Sequence, residues 1–353
     1  MKLKIRNPKP EIRNQEGVAL IMVLWVIAVL SIVVLEFSVA MRTEVNITQN
    51  YKEELELYAF VQGGVHRAIA ELIYKHDPGV QQLRRTLMVD EIPPEKKEWA
   101  TDGRSYFFPF DQGTCEIKVM SEAGKVNINL VSESMLRRIL TLFGLEGEAR
   151  DTVVDSILDW RDTDDLYRLN GAEDSYYQSL KEPYFAKNGP FDSIEELLLV
   201  RGVTPALFYG NRDKKKGEDG EKALQAGLKD IFSIYSPSEQ VDINSASLVV
   251  LKIVLGIPED ILQKIVKARE EKLFEHQLDL LSRIPELKPL VEGDPARQNL
   301  ILYGRTILTP YYTIESKATL KGREFGRSLK AIVKIDPREK EGYKILQWVD
   351  VLL

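Results

Sequence analysis

The densest set of groups able to do chemistry reads Asp159-Trp-Arg-Asp162-Thr-Asp164-Asp165-Leu-Tyr-Arg-Leu-Asn170-Gly171-Ala172-Glu173-Asp174-Ser-Tyr-Tyr177. Carboxylates this crowded repel one another unless something neutralises them. The glycine-containing loop among them leaves carbonyl oxygens free. A hard cation such as Ca2+ takes roughly six to eight oxygens in adaptable geometry, which such a stretch can supply. The spacing is not that of an EF-hand, because Asp162, Asp164 and Asn170-Gly171 do not meet that loop's positions. A solvated acidic loop capping the helix that ends near Trp160 explains the same residues, and composition alone leaves both readings open.

Enzymatic chemistry has little support. His66, His76 and His276 are not spaced as metal-ligand pairs, and neither Gly-x-Ser-x-Gly nor a Gly-rich phosphate loop is present. No evident base or oxyanion donor stands beside the carboxylates. The expectation is a non-enzyme with no catalytic residues. A formal charge of −6 argues against a nucleic-acid surface, which needs concentrated Lys and Arg. The single cysteine, Cys115, cannot form an intrachain disulfide, and its apolar, strand-like setting predicts a buried structural thiol.

The acidic stretch lies within a mainly helical block, from Val126 to about Gln298. Two similar segments occur in it. Val126-Asn-Ile-Asn129 matches Val241-Asp-Ile-Asn244, and each is followed by Ser and a helix closing on glycine, Gly144 or Gly256. Asn129 and Asn244 stand near where an N-cap is wanted. The pattern resembles the helix-hairpin-helix module. Its turns, Gly144-Leu-Glu-Gly147 and Gly256-Ile-Pro-Glu259, carry acidic residues, and Pro258 removes an N–H donor, so protein packing fits better than phosphate binding.

Alternating segments flank the block. Ser105–Phe110 and Thr114–Met120 precede it; Tyr311–Leu320, Arg327–Ile335 and Tyr343–Val351 follow. Strands on both sides predict an antiparallel sheet with a helical domain inserted into it. Asn211–Gly220 reads as a solvated loop within the insertion.

At the other end, a basic leader meets the apolar run VALIMVLWVIAVLSIVVL, Val18–Leu35, at Gly17. As a helix the run is roughly 27 Å long, enough to cross a bilayer. Lys2, Lys4, Arg6, Lys9 and Arg13 outnumber Glu11 and Glu16, which should hold the N-terminus in the cytoplasm. A cleaved signal peptide is the competing reading, with Ser38-Val-Ala40 as its cleavage site. A plain membrane anchor is another. Beyond the run, Leu57, Phe60, Val61, Val65, Ala68, Ile69 and Leu72 recur at helical spacing, so one helix should continue to about Tyr74, with Gly63-Gly64 either kinking it or packing closely on a sheet.

Gln15-Glu16-Gly17 before Val18-Ala19-Leu20 resembles the type IV prepilin class. That resemblance implies cleavage between Gly17 and Val18 on the cytoplasmic side by a prepilin peptidase, with Val18 N-methylated afterwards. Most pilin-like proteins carry Glu at the fifth mature position; here Met22 stands there. Together with the paired Val-Asn/Asp-Ile-Asn motifs, Asp159-Trp-Arg-Asp-Thr-Asp164, Gly171-Ala-Glu173 and Phe191-Asp-Ser-Ile-Glu-Glu-Leu197 before Gly202, this resembles the K-type minor pseudopilins of type II secretion systems, the GspK family. The resemblance implies an α+β, type IV pilin-like fold: a long N-terminal helix on an antiparallel sheet, with a large inserted all-α domain bearing the helix-hairpin-helix-like repeats. The corresponding segments are a leader at 1–17, a membrane and pilus-core helix at 18–36, pilin-like helix and strands at 37–123, the insertion at 124–305 and closing strands at 306–353. It further implies structural Ca2+ in the insertion, for which Asp159, Asp162, Asp164, Asp165 and Glu173 are the chosen ligands. Implied partners are the I and J minor pseudopilins, the major pseudopilin, the prepilin peptidase, the inner-membrane assembly platform, and the exported substrate or outer-membrane secretin. The implied place is the bacterial inner membrane, with most of the chain in the periplasm, and the implied role is capping a pseudopilus tip. The alternative is a minor pilin of a type IV pilus or DNA-uptake system.

Overall fold

No proline interrupts the chain between Gly17 and His76, and a single helix, α1, occupies Glu16–His76. The computed structural model describes residues 16–77, 79, 82, 99–210, 226–292, 304–305, 309–322 and 326–352; the leader and the loop expected at 211–220 lie outside them, apart from Glu16 and Gly17. By internal contacts the chain divides into two units, 1–59 and 60–353.

The first unit is helical throughout its described part. Its apolar residues from Val18 to Leu35 are all exposed, and α1 is the one described helix long and apolar enough to cross a membrane. Ser31, the polar member of that run, donates its hydroxyl back to the Ile27 carbonyl at 2.8 Å, so no hydroxyl proton is left unpaired on the apolar surface.

The second unit is built on a five-stranded antiparallel sheet. Its strands are β1 (Asp102–Phe110), β2 (Gly113–Ser121) and three more from the C-terminal segment, which follow the insertion. Alternation sets the buried face of β2: Cys115, Ile117 and Val119 point inward between half-buried neighbours on the other face. Val61, Val65, Ala68, Ile69 and Leu72 form the buried stripe of α1 in this unit. Gly64 shows how closely helix and sheet approach. A Cβ there would collide with the Ser316 hydroxyl and stand 3.1 Å from Cys115 Sγ and 3.2 Å from Ile117 Cδ1. The helix therefore runs unbroken through Gly63-Gly64, and the second glycine serves close packing. Burial pushes the Cys115 thiol up, which suits a structural rather than a reactive role.

The insertion follows β2. Its first half holds β3 (Val126–Asn127), α2 (Glu133–Leu142) and α3 (Gly147–Arg161), then single turns at Asp174–Tyr177, Ile194–Leu199 and Pro205–Tyr209. After a turn at Leu228–Ile231 come β4 (Phe232–Ser233), β5 (Val241–Asp242), α4 (Leu248–Leu255), α5 (Glu259–Glu271) and α6 (Gln277–Arg283). A short helix at Leu287–Glu292 and β6 (Gly304–Arg305) complete it. The all-α expectation is corrected here: β3 pairs with β4, and β5 with β6, each as a two-residue parallel ladder. The sheet then resumes with β7 (Tyr311–Leu320), β8 (Gly326–Ile335) and β9 (Tyr343–Leu352), giving the order β1-β2-β7-β8-β9.

The two Val-x-Ile-Asn segments are structural equivalents in detail. Asn129 accepts from the Phe191 amide at 2.7 Å and donates to the Phe191 carbonyl at 3.0 Å; Asn244 does the same with Phe274, at 2.9 and 2.9 Å. Arg161 at the end of α3 donates to the carbonyls of Ile128 and Val131, and Arg269 in α5 donates to those of Ile243 and Ala246. The asparagines are thus not the N-caps expected of them. Ser132 and Ser247 hold those positions, and the amides instead make two-way bonds that a Ser hydroxyl could not span. One further group joins insertion to sheet. Burial opposes charge on Glu122, yet Lys125 at 3.1 Å, the Thr313 hydroxyl at 2.6 Å and the Ser233 hydroxyl outweigh it and hold its carboxyl below the usual range.

Candidate cation site and apolar helix

Helical spacing puts Asp155, Asp159 and Asp162 on one side of α3 and just past its end. The following loop folds back over that side. The Arg168 amide donates to Asp159 Oδ2 at 3.1 Å, and the Asn170 amide and side chain donate to Asp155 Oδ2 at 3.1 and 3.2 Å. Gly171 then passes so close that a Cβ would overlap the Asp159 carboxylate. The Arg201 guanidinium fixes the Gly171 carbonyl at 2.9 Å. Asp159 is fully buried, and Glu173 is only 3% exposed.

Glu173 is the anomaly of the site. Neither of its carboxylate oxygens has a hydrogen-bond partner among the described residues. A buried, unpaired carboxylate is costly, because water's solvation is lost and nothing replaces it. Burial, and then the charges of Asp159, Asp162, Asp165 and Asp164, push its pKa up to about 7. Burial also raises Asp159, against the opposing pull of Arg168.

The five expected ligands are treated unequally. Asp159 and Asp162 are joined through Arg168, whose Nη1 lies 2.6 Å from Asp159 Oδ1 and 2.7 Å from Asp162 Oδ2. Asp165 Oδ1 accepts from the Asn188 side chain at 2.6 Å. Asp164 turns to its own loop and accepts from the Leu166 amide at 2.9 Å. No three His, Cys, Asp or Glu groups among the described residues stand close enough to form a ready metal cluster. Unpartnered buried oxygens are nevertheless concentrated here: both of Glu173, Oδ1 of Asp162 and Oδ1 of Asn188. Hard oxygens without donors are the chemistry a divalent cation satisfies, so the residues fit one.

Asp155, Arg168, Asn188 and Arg201 are site residues beyond the expected five. Asp155 was legible in principle, one helical turn before Asp159. Asn188 was not: it reaches the site from the far end of the loop, in a left-handed conformation (φ +48°) that Asn tolerates better than most residues. Around them, Trp160 packs edge-on to Tyr177 at 5.4 Å and against Phe191 and Tyr184, walling the loop's inner side. Its outer side is apolar and open, with Leu166, Tyr167 and Leu169 exposed. The other expected site, Gly17 and Val18, lies in the first turn of α1.

A long apolar N-terminal helix, an antiparallel sheet and a helical insertion between β2 and β7 define a pilin-like fold carrying an inserted domain. Residues 118–210 match the family model for Type II secretion system (T2SS), protein K. A type II secretion system protein K of Pseudomonas aeruginosa is 25% identical over 287 residues, covering 78% of each chain. One of Aeromonas hydrophila is 26% identical over 220 residues, 56% of this chain and 62% of the relative's length. The crystal structure of the GspK-GspI-GspJ complex from enterotoxigenic Escherichia coli contains a chain with the same fold, at TM-score 0.55 and 16% identity, covering 86% of this chain and 99% of that one. The resemblance to K-type pseudopilins of type II secretion is thereby borne out.

Proposed function

We propose that this protein is the K-type minor pseudopilin of a type II secretion system, seated at the tip of the pseudopilus and promoting its assembly. The observation carrying this reading is the insertion of a bulky helical unit between two adjacent strands of a pilin-like sheet, in a chain of which residues 118–210 match the secretion protein K family model. The relatives' names give no support to the alternative of a type IV pilus or DNA-uptake subunit. α1 anchors the chain in the inner membrane before assembly, with the bulk in the periplasm, and afterwards packs beside equivalent helices. The I and J minor pseudopilins are its proposed neighbours, as the relative's complex suggests. The absence of Glu at Met22 removes the usual charge partner for a subunit above, and the insertion would obstruct one. Processing by the prepilin peptidase, between Gly17 and a methylated Val18, and contacts with the major pseudopilin, the assembly platform, the exported substrate or the secretin belong to the same proposal.

Deletion should reduce pseudopilus number and abolish export; unchanged numbers and secretion would remove the proposed role. Mass analysis of the mature N-terminus tests the processing step. A start at methylated Val18 supports it, and an intact leader or a cut after Ala40 refutes it.

The same proposal includes structural Ca2+ held by Asp159, Asp162, Asp164, Asp165 and Glu173, with Asn188 as an added oxygen donor. The ion would supply the positive charge these carboxylates lack. The support is the buried Glu173 with two unpartnered oxygens. Calorimetric titration of the full chain with Ca2+ tests it.

A further inference from the structure

Arg168 stands where the countercharge of the acidic loop belongs. Arginine usually meets a carboxylate through two parallel fork nitrogens. Here one nitrogen, Nη1, is shared between two carboxylates, at 2.6 Å from Asp159 Oδ1 and 2.7 Å from Asp162 Oδ2. That is how a small spherical ion bridges two ligands. The side chain itself is 40% exposed, so the guanidinium has a way out to water that Asp159, at 0%, does not have. The segment carrying it is weakly packed: Leu166 is 78% exposed and Leu169 is 94% exposed. Glu173, which lends its charge to the same group of carboxylates, is left without a donor while Arg168 is in place.

We propose that Arg168 is a tethered substitute for the divalent cation, bridging Asp159 and Asp162 in the cation-free protein and displaced outward when the ion binds. The inference rests on the reading of this loop as a hard-cation site. A Ca2+ seated between Asp159 Oδ1 and Asp162 Oδ2 would occupy the place that Nη1 holds and repel the guanidinium, so its binding there breaks both Nη1 contacts. The Arg168 amide, bonded to Asp159 Oδ2, keeps the backbone in place while the side chain leaves. A competitor attached to the chain is always present at high local concentration, so it lowers the apparent affinity by the fraction of molecules in which it is bound. It also keeps Asp159 and Asp162 from repelling each other before the ion arrives.

The test uses the full chain in detergent, with Ca2+ as the probe. Arg168→Gln removes the competing charge and should tighten calorimetric Ca2+ binding by about ten- to a hundredfold, the worth of a charged hydrogen-bond pair. Arg168→Lys keeps the charge and should stay much closer to wild type. Phenylglyoxal labelling of the wild-type guanidinium, mapped by mass spectrometry, should be slow at Arg168 in chelator and faster in Ca2+. That second readout needs no variant and would not respond to a simple through-space repulsion. Equal or weaker binding by Arg168→Gln, or labelling indifferent to Ca2+, overturns the displacement while leaving the cation site standing. Failure of both wild type and Arg168→Gln to bind Ca2+ overturns the cation reading and the displacement with it.

Discussion

Replacing Glu173 with Gln should stabilise the cation-free protein at alkaline pH and cripple it in Ca2+. The ordinary pKa of this carboxyl is 4.5, and the fold raises it to about 7 by burial and by neighbouring acids. A carboxyl raised in the folded state binds its proton more tightly there than in the unfolded chain. Its contribution is therefore fully favourable below about pH 4.5 and is lost as pH climbs through about 7. At 1.36 kcal/mol per unit the loss is at most about 3 kcal/mol, and relaxation of the loop brings it to about 1–3 kcal/mol. Gln has the shape of the protonated acid and does not ionise. In chelator at pH 8, Glu173→Gln should thus exceed wild type by about 1–3 kcal/mol, several degrees in Tm, while the two nearly coincide at pH 4.5. Saturating Ca2+ at pH 8 should reverse the order, because an ion at a thousand times its Kd adds about 4.1 kcal/mol to wild type and much less to the variant. Thermal unfolding followed by tryptophan fluorescence, at both pH values with and without Ca2+, reads all four states. A variant less stable than wild type in chelator at pH 8 would refute the account of Glu173 as an uncompensated buried acid.

The paired glycines of α1 should respond oppositely. Gly63→Ala meets nothing within 4 Å among the described residues and should add up to about 1 kcal/mol through helix propensity, whereas Gly64→Ala drives a methyl into Ser316 and Cys115 and should cost about 1–3 kcal/mol in chemical denaturation. Arg269→Met should cost about 3–5 kcal/mol, because it strands two buried carbonyls and leaves Asp102, 3.7 Å away, with Arg104 alone; equilibrium unfolding measures it. Gly171→Ala pushes the Asp159 carboxylate aside and should weaken Ca2+ binding at least tenfold by calorimetry.

Much of the fold was legible because its signals are local. Period-two alternation marked all five strands of the main sheet to within a few residues, and the proline-free periodic run to Tyr74 anticipated a helix that ends at His76. The two-residue ladders at Val126–Asn127 and Val241–Asp242 were missed, since so short a pairing leaves no periodicity to detect. In the acidic loop, residue type pointed to the right region but not to the roles. Asp164 and Asp165 read alike in sequence, yet one turns to the Leu166 amide and the other to Asn188. Arg168 read as one charge among many; only the fold brings its Nη1 between two carboxylates. Glu173 owes its strain to burial, which a polar stretch of sequence does not announce.

The duplicated hydrogen bonding of the insertion gives the chain a reference inside itself. In the second copy, Arg269 in α5 is followed almost at once by Phe274; in the first, the whole acidic loop lies between Arg161 and Phe191. The second copy therefore shows what the architecture needs when no loop is present: the Asn amide, the Arg reaching back to two carbonyls, the Ser cap. What the first copy adds, from Asp162 to Asn188, goes beyond that requirement, although Ala172 and Tyr177 within it pack into the core. Divergence at the exposed polar and apolar positions of this stretch can retune the groups it presents while those two residues keep it fastened to the core.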